Sequence, residues 1–532
     1  MTATDLGPRP GAPPPPAGKR AGRALPTRRS QPSLPRGVVV VIAVGAVLRF
    51  WTGSDLWLDE ALTVNIAGLP LGELFEALRR DGSPPLYYVL LHGWMELFGR
   101  GDLAVRSLSG LAAVAALPIA WALGRDIGGP RVAVAMVALL ATSPFAIHYA
   151  TEARMYSLVV LLTAAGALLL RRSLLQARGR DLAGLGVVSG LLLITHYWAF
   201  YLIAAVLTWL AVRAWRTHDR RPVFAAMAAT AAGGLLFLPW LPSFLFQLGN
   251  TGTPWGGPAT FTAIIATLNE FGGGGGMHGW LLSLVFLGLI GLGLFGRPLD
   301  GRRVELDLLT RPRARPAAFV TLATLVLAIS VNWAVGSAFA PRYTAVVLIP
   351  FLVLVALGVG VLDDVRVRTG VLTLACLVGL FGASYNVVLN RTQAAEVAGA
   401  LRRHAAPGDV VAYCPDQLGP AVSRLAPAYL DQRTFPDGDG PALVDWVDYR
   451  ARNRAGDPAT FAAELIAGAG RANDVWLVWF PGYRTLGNRC ETLNAHLDRL
   501  RPEGLSRVVA SKPGRYFEPA QLWRFRGPDT WQ

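Results

Sequence analysis

The sequence predicts an α-helical polytopic membrane protein carrying a small α/β domain at its C-terminal end. Of its 532 residues, 53% are hydrophobic and only 16% charged, with a mean hydropathy of +0.40. A soluble chain of this size is not so poor in charge. Apolar runs near the ~20 residues needed to cross a bilayer recur until about position 387. Beyond that point the chain turns polar, and helical and strand-like patterns alternate, as in a small α/β unit.

Residues 1–36 contain Pro13 to Pro16 and scattered arginines, and cannot assemble a packed core; they read as a disordered cytoplasmic tail. Eleven spans are then expected, at about 37–51, 104–123, 131–148, 155–170, 182–195, 198–213, 222–242, 279–296, 316–335, 343–361 and 370–387. The apolar run 86–98 is short and carries His92 and Glu96. It is expected to lie in the interface, within a long first external loop at 52–103. The loop 248–278 contains five successive glycines, 272–276, and reads as mobile. Residues 388–532 are expected to form the α/β domain. Helices are expected at 394–404 and 491–500, and strands at 410–413, 475–480, 506–511 and 521–525.

The net charge of +15 does not signal nucleic acid. Arginines gather in alternate gaps (1–36, 124–131, 171–181, 213–221, 297–315 and 362–369). The other short gaps hold only Arg79, Arg80, Arg100, Arg106, Arg154 and Arg342. This is the positive-inside asymmetry, and it places the N-terminus in the cytoplasm and the C-terminal domain outside. A nucleic-acid surface would gather its basic residues on one soluble face. Lys19 and Lys512 are the only lysines, against abundant Arg, Ala and Gly, which points to a GC-rich bacterial genome and hence the bacterial plasma membrane. Cys376 lies in the last span; Cys414 and Cys490 share the external domain, where a disulfide between them is open. No zinc-type Cys/His spacing occurs, and no glycine-rich phosphate loop follows a strand, so no cofactor is expected.

Chemistry-bearing residues collect at the external helix ends. Asp59 and Glu60 follow the first span; a carboxylate there can act as a general base, or simply be solvated or cap a helix. Asp81 precedes Pro84-Pro85-Leu86-Tyr87-Tyr88, where prolines rigidify a helix entry. His148, Glu152, Arg154 and Tyr156 lie between two spans, and His196 sits at a tight hairpin tip. Arg342 and Tyr343 begin another span. Arginine on this face calls for an anionic partner, which for Arg154 is Glu152 or a phosphate. Asp59, Glu60 and Asp81 could also gather an oxygen-ligated cation, although no metal site is assigned. A transporter or flippase of lipid-linked sugars is the competing class; it would place polar groups at the midplane, often in repeated halves.

Leu58-Asp59-Glu60-Ala61, Pro84-Pro85-Leu86-Tyr87-Tyr88, Arg106-Ser107-Leu108-Ser109, Glu152-Ala153-Arg154-Met155-Tyr156 and Pro341-Arg342-Tyr343 occur in an order and spacing that resembles the GT-C glycosyltransferases of the protein O-mannosyltransferase and aminoarabinose transferase type, over roughly 37–390. The resemblance implies a polyprenyl-phosphate donor of a mannose- or arabinose-like sugar, a glycan, lipid or protein acceptor, and inverting transfer on the external face. It implies that Asp59, beside Glu60, activates the acceptor. Arg154, Tyr156, Arg342 and Tyr343 would bind the donor phosphate. Asp81, Tyr87, His148, Glu152 and His196 would line the substrate site. Where some relatives carry Lys before the proline pair, this chain has Ser83.

Overall fold

The computed structural model describes residues 35–252, 256–257, 260–300, 303–483 and 485–530. The tail expected at 1–36 lies almost wholly outside them.

The bundle begins with α1 (Arg36–Leu48). At its end the buried Arg49 guanidinium donates to the carbonyls of Leu140 and Ala141, pinning α1 to the neighbouring span. The first loop is more structured than one interfacial helix. It folds as α2 (Leu58–Ala67), α3 (Leu71–Asp81) and α4 (Leu86–Phe98). Pro70 and Pro85 stand immediately before α3 and α4, and Gly82 ends α3 in the left-handed region at φ 86°. The expected helix at 86–98 is α4; α2 and α3 are too short for periodicity to announce them.

The following helices are α5 (Asp102–Gly128), α6 (Pro130–Ala141), α7 (Pro144–Ala150), α8 (Tyr156–Gln176), α9 (Gly179–Leu193), α10 (Ala199–Arg216), α11 (Arg221–Ala232) and α12 (Leu241–Asn250). Then come α13 (Thr262–Phe271), α14 (Met277–Phe295), α15 (Arg315–Ala334), α16 (Ala345–Val361) and α17 (Val365–Val388). Helix occupies the segment of every expected span. Among the described residues eight are long and apolar enough to cross a membrane, or nine if α6 and α7, bent by 49°, form one span. At 13 and 15 residues, α1 and α9 fall short of the ~20-residue requirement. α16 is apolar on every side and almost entirely buried, so it forms the axis against which α6, α8, α14 and α15 pack.

Part of the loop expected at 248–278 is ordered as α13. The glycine run makes the turn from α13 into α14: Gly273 and Gly276 adopt φ of 111° and 97°, and a Cβ on Gly279 would lie 2.0 Å from the Gly274 carbonyl oxygen. At the opposite end of the bundle, α14 and α15 are joined by an antiparallel hairpin, β1 (Gly296–Asp300) and β2 (Arg303–Leu306).

After α17 the chain forms a five-stranded mixed sheet from β3 (Val410–Cys414), β4 (Asp431–Thr434), β5 (Val475–Trp479), β6 (Leu505–Val509) and β7 (Gln521–Phe525), in the order β4-β3-β5-β7-β6. β3 is parallel to β4 and β5, and β7 is antiparallel to β5 and β6. α18 (Ala394–His404), α19 (Gly419–Ser423), α20 (Tyr449–Ala455), α21 (Pro458–Ala469) and α22 (Arg489–Leu500) complete it. The edge strand β4 reads Asp-Gln-Arg-Thr, with no apolar alternation to reveal it. α21 carries an ordinary start signal: the Asp457 carboxylate accepts from the Ala459 and Thr460 amides, and Pro458 opens the first turn. A Cys414–Cys490 disulfide joins the end of β3 to the start of α22, with Cα atoms 5.4 Å apart.

The sheet domain sits on the first loop. Asn65 donates to the Ala442 carbonyl at 2.7 Å, Arg80 pairs with Asp445 at 2.9 Å, and the Arg391 amide donates to Ser54 Oγ at 2.8 Å. These contacts hold α2 between the helix ends and the C-terminal domain.

Candidate active site

Asp59 and Glu60 occupy the first turn of α2, where the helix dipole favours negative charge. Successive helix residues point about 100° apart, so the two carboxylates enter different surroundings.

Glu60 goes inward and is fully buried. Arg106 grips it with two hydrogen bonds of 2.7 Å, the Ala153 amide donates at 2.9 Å, and Arg391 Nη1 lies 3.6 Å away. Arg391 extends the network: it donates to the Thr151 carbonyl at 2.9 Å and to Thr151 Oγ1 at 2.7 Å, and sits 3.8 Å from Glu152. His148 Nε2 is 3.4 Å from Glu152. Burial pushes the Glu152 carboxyl up, but Arg391, His148 and Arg342 together outweigh it and hold the group below the usual carboxylate range. Glu60, Glu152 and His148 are therefore tied to one another and to two arginines, joining α2, α5, the α7–α8 loop and the entry to the C-terminal domain.

Asp59 turns the other way, between two guanidiniums. Its Oδ2 lies 3.2 Å from Arg342 Nη2 and 3.9 Å from Arg154 Nη2. It accepts no hydrogen bond there among the described residues. Arg154 Nη1 donates to Thr63 Oγ1 at 2.8 Å and reaches Tyr88 OH at 3.4 Å; Tyr88 OH reaches Asp81 Oδ2 at 3.3 Å. Burial raises the Asp81 carboxyl above its ordinary value against the lowering pull of Ser83 and Arg154. Arg154 lies 6.0 Å from the Tyr156 ring centre, and Arg342 lies 5.8 Å from those of Trp57 and Tyr343. His196 packs on the Tyr156 and Tyr343 rings at 5.7 and 5.3 Å. Burial, then Arg154 and Arg342, push it down to about 3, so it is neutral at physiological pH.

The structure thus gathers Asp59, Asp81, Arg154, Tyr156, His196, Arg342 and Tyr343 into one cluster. Tyr87 is not among them: its hydroxyl shares a 2.8 Å hydrogen bond with Ser109, whose Oγ donates to the Arg154 carbonyl, so it supports the cluster from behind. Among the described residues, no group of three or more His, Cys, Asp or Glu is arranged to hold a metal ion.

Three contributors escape a reading of the sequence. Arg391 gives a partial signal, as another arginine just beyond a span end on the arginine-poor face. Glu270 of α13 accepts a hydrogen bond from Tyr149 at 3.0 Å. Glu518 comes from the C-terminal domain. Its Oε1 accepts from the Leu58 amide at 3.3 Å, and Phe517 beside it packs edge-on against Trp57, ring centres 5.4 Å apart.

Burial pushes Glu518 up to about 8 against the opposing hydrogen bonds from Thr392 and Leu58. Burial likewise pushes Asp416, bonded by Tyr449, up to about 7. Between their unfolded values of 4.5 and 3.8 and these folded values, the native state holds more protons than the unfolded chain. Stability is then greatest in mild acid and falls as pH rises through 7 and 8. Thermal melting measured from pH 5 to 9 is expected to show this decline, and Glu518→Gln with Asp416→Asn to flatten it. A decline equally steep in the double variant would assign it to other groups.

Residues 82–242 match the model of the dolichyl-phosphate-mannose-protein mannosyltransferase family. Comparison with curated proteins returns no match. Among solved structures, ArnT from Cupriavidus metallidurans in the apo state is similar at a TM-score of 0.58 and 15% identity, over 92% of this chain and 98% of that one. The same protein bound to undecaprenyl phosphate is similar at 0.53 and 15% identity, with the same coverage. The chain is a multi-pass membrane protein with the GT-C glycosyltransferase fold.

Proposed function

We propose that the protein is an inverting glycosyltransferase that moves a mannose- or arabinose-like sugar from a polyprenyl-phosphate donor to a cell-envelope or protein acceptor at the extracytoplasmic face of the bacterial plasma membrane. The observation that carries this reading is Asp59 held between Arg154 and Arg342 at a helix-end face, under the first loop and the C-terminal domain. A donor with an isoprenoid tail reaches its headgroup site from within the bilayer, and a site at helix ends suits it. The similar ArnT of C. metallidurans is described bound to undecaprenyl phosphate.

In this mechanism Asp59 takes the proton of the acceptor hydroxyl as its oxygen attacks the anomeric carbon. The bond from that carbon to the phosphate oxygen breaks on the opposite side, so the configuration inverts. Polyprenyl phosphate leaves carrying the charge that Arg154 and Arg342 stabilise. Each guanidinium exchanges Asp59 for phosphate as the donor enters. Glu60 holds the backbone beneath Asp59 through Arg106. A transporter is disfavoured because the charged residues of this cluster lie at helix ends instead of at the midplane.

The test is incubation of the purified protein with a panel of polyprenyl-phosphate sugars and acceptors, scoring polyprenyl-phosphate release. Arg154→Lys and Arg342→Lys keep the charge but lose the planar fork. Losing one charge-assisted hydrogen bond of about 1.5–3 kcal/mol weakens apparent donor affinity about 10- to 150-fold, with a smaller effect on the acceptor. Unchanged donor affinity in both variants would make these arginines internal partners of Asp59 and overturn the phosphate assignment.

A further inference from the structure

At the end of the bundle opposite Asp59, a cavity of about 240 Å³ opens among α8, α9, α10, α15 and α16. Its wall is apolar, with Leu170, Leu192, Val206 and Val353 representative. Three arginines from separate elements share it: Arg171 of α8, Arg213 of α10 and Arg313 just before α15. They lie close enough for Arg313 and Arg213 both to repel Arg171, which the Asp126 carboxylate also attracts.

Basic residues are common at this end, and some are balanced by carboxylates. Arg131 pairs with Asp363 at 2.5 Å and Arg172 with Asp126 at 3.4 Å. Among the described residues, Arg171, Arg213 and Arg313 form no ion pair with a carboxylate; Arg171 donates only to the Asp126 carbonyl. Its Nε is buried and has no hydrogen-bond partner there. Like charges at the mouth of an apolar cavity cost free energy unless an anion fills the space between them. The depth identifies the rest of the occupant. Along α8 the lining runs from Thr163 to Leu175, and along α10 from Leu202 to Arg213. Twelve and eleven rises of 1.5 Å give about 17 Å. That is close to the ~15 Å hydrocarbon half-thickness of one leaflet, and so to one acyl chain.

We propose that this cavity binds an anionic glycerophospholipid from the leaflet at the arginine-rich end, with its phosphate among Arg171, Arg213 and Arg313 and one acyl chain in the channel. Basic pockets between membrane helices select such headgroups. The site lies at the far end of α8 and α10 from Asp59, and it stands whether or not the proposed transfer reaction is correct.

The test is native mass spectrometry of the purified full-length protein, titrated in detergent with phosphatidylglycerol, phosphatidylcholine or undecaprenyl phosphate of the same concentration. Phosphatidylglycerol is expected to give a discrete one-lipid adduct that exceeds the phosphatidylcholine adduct. Arg213 and Arg313 are exposed, so Arg213→Gln with Arg313→Gln leaves packing intact. At about 1 kcal/mol per basic residue the pair should weaken phosphatidylglycerol binding about 30-fold. Arg213→Lys with Arg313→Lys should restore most of it. Equal adducts with phosphatidylcholine, or undiminished phosphatidylglycerol binding by the glutamine variant, would overturn the site. Preferential retention of undecaprenyl phosphate, lost in the glutamine variant, would overturn the assigned occupant.

Discussion

Replacing Asp59 by asparagine is expected to lower sugar transfer about 10²- to 10⁴-fold, the usual cost of removing a general base, while the protein still folds. The side chain keeps its shape at the first turn of α2. Loss of its charge leaves Arg154 and Arg342 facing each other with some solvent access, their side chains 11% and 19% exposed. That exposure screens the repulsion. The variant separates two roles: the base is lost, but both arginines remain and no longer have a competing anion. The apparent KM for the lipid donor should therefore stay level or fall while kcat drops. Initial rates of polyprenyl-phosphate release, with each substrate varied in turn, read both quantities. An active Asp59→Asn enzyme, with a folded but inactive Glu60→Gln, would transfer the base to Glu60.

Much of this cluster was legible in the sequence because it is built from segments that announce themselves. Arg154 and Arg342 stand at the helix ends where arginine is scarce, a position that calls for an anionic neighbour, and Asp59 is that neighbour. The long apolar runs marked the spans, and 394–404 is a helix as its pattern implies. What could not be read is that Asp59 and Glu60 enter different surroundings, since adjacency in sequence carries no direction until a helix turns them about 100° apart. The contacts of Arg391 and Glu518 were illegible for a different reason. These side chains are 331 and 458 residues beyond Glu60, and only tertiary folding brings the first to the Glu60–Glu152 pair and the second to the Leu58 amide. Short helices such as α2, α13 and α20 owe their stability to docking and not to their own periodicity.

The buried Glu60 carboxylate should prove a structural anchor, and its removal should cost about 3–5 kcal/mol, the range for stripping one partner from a buried ion pair. Glu60→Ala would leave Arg106 and Arg391, each with a side chain only 6% exposed, without their shared counter-ion. Arg106 would keep its bonds to the Ser54 and Asp55 carbonyls, and Arg391 its bonds to Thr151, but neither set neutralises charge. The Ala153 amide would also lose its acceptor, so the α7–α8 loop would loosen where it carries Arg154. Glu60→Gln keeps the volume and one acceptor and should fall between wild type and alanine. The measurement is thermal unfolding in detergent followed by size-exclusion fluorescence, together with the yield of monodisperse protein. Activity per folded molecule completes the comparison: a positioning role predicts that Glu60 variants lose activity largely as folded protein is lost, whereas Asp59→Asn loses it with melting unchanged. A Glu60→Ala protein that melts with wild type would show that Arg106 and Arg391 are neutralised by solvent instead, and the partition of this acidic pair into one base and one anchor would not stand.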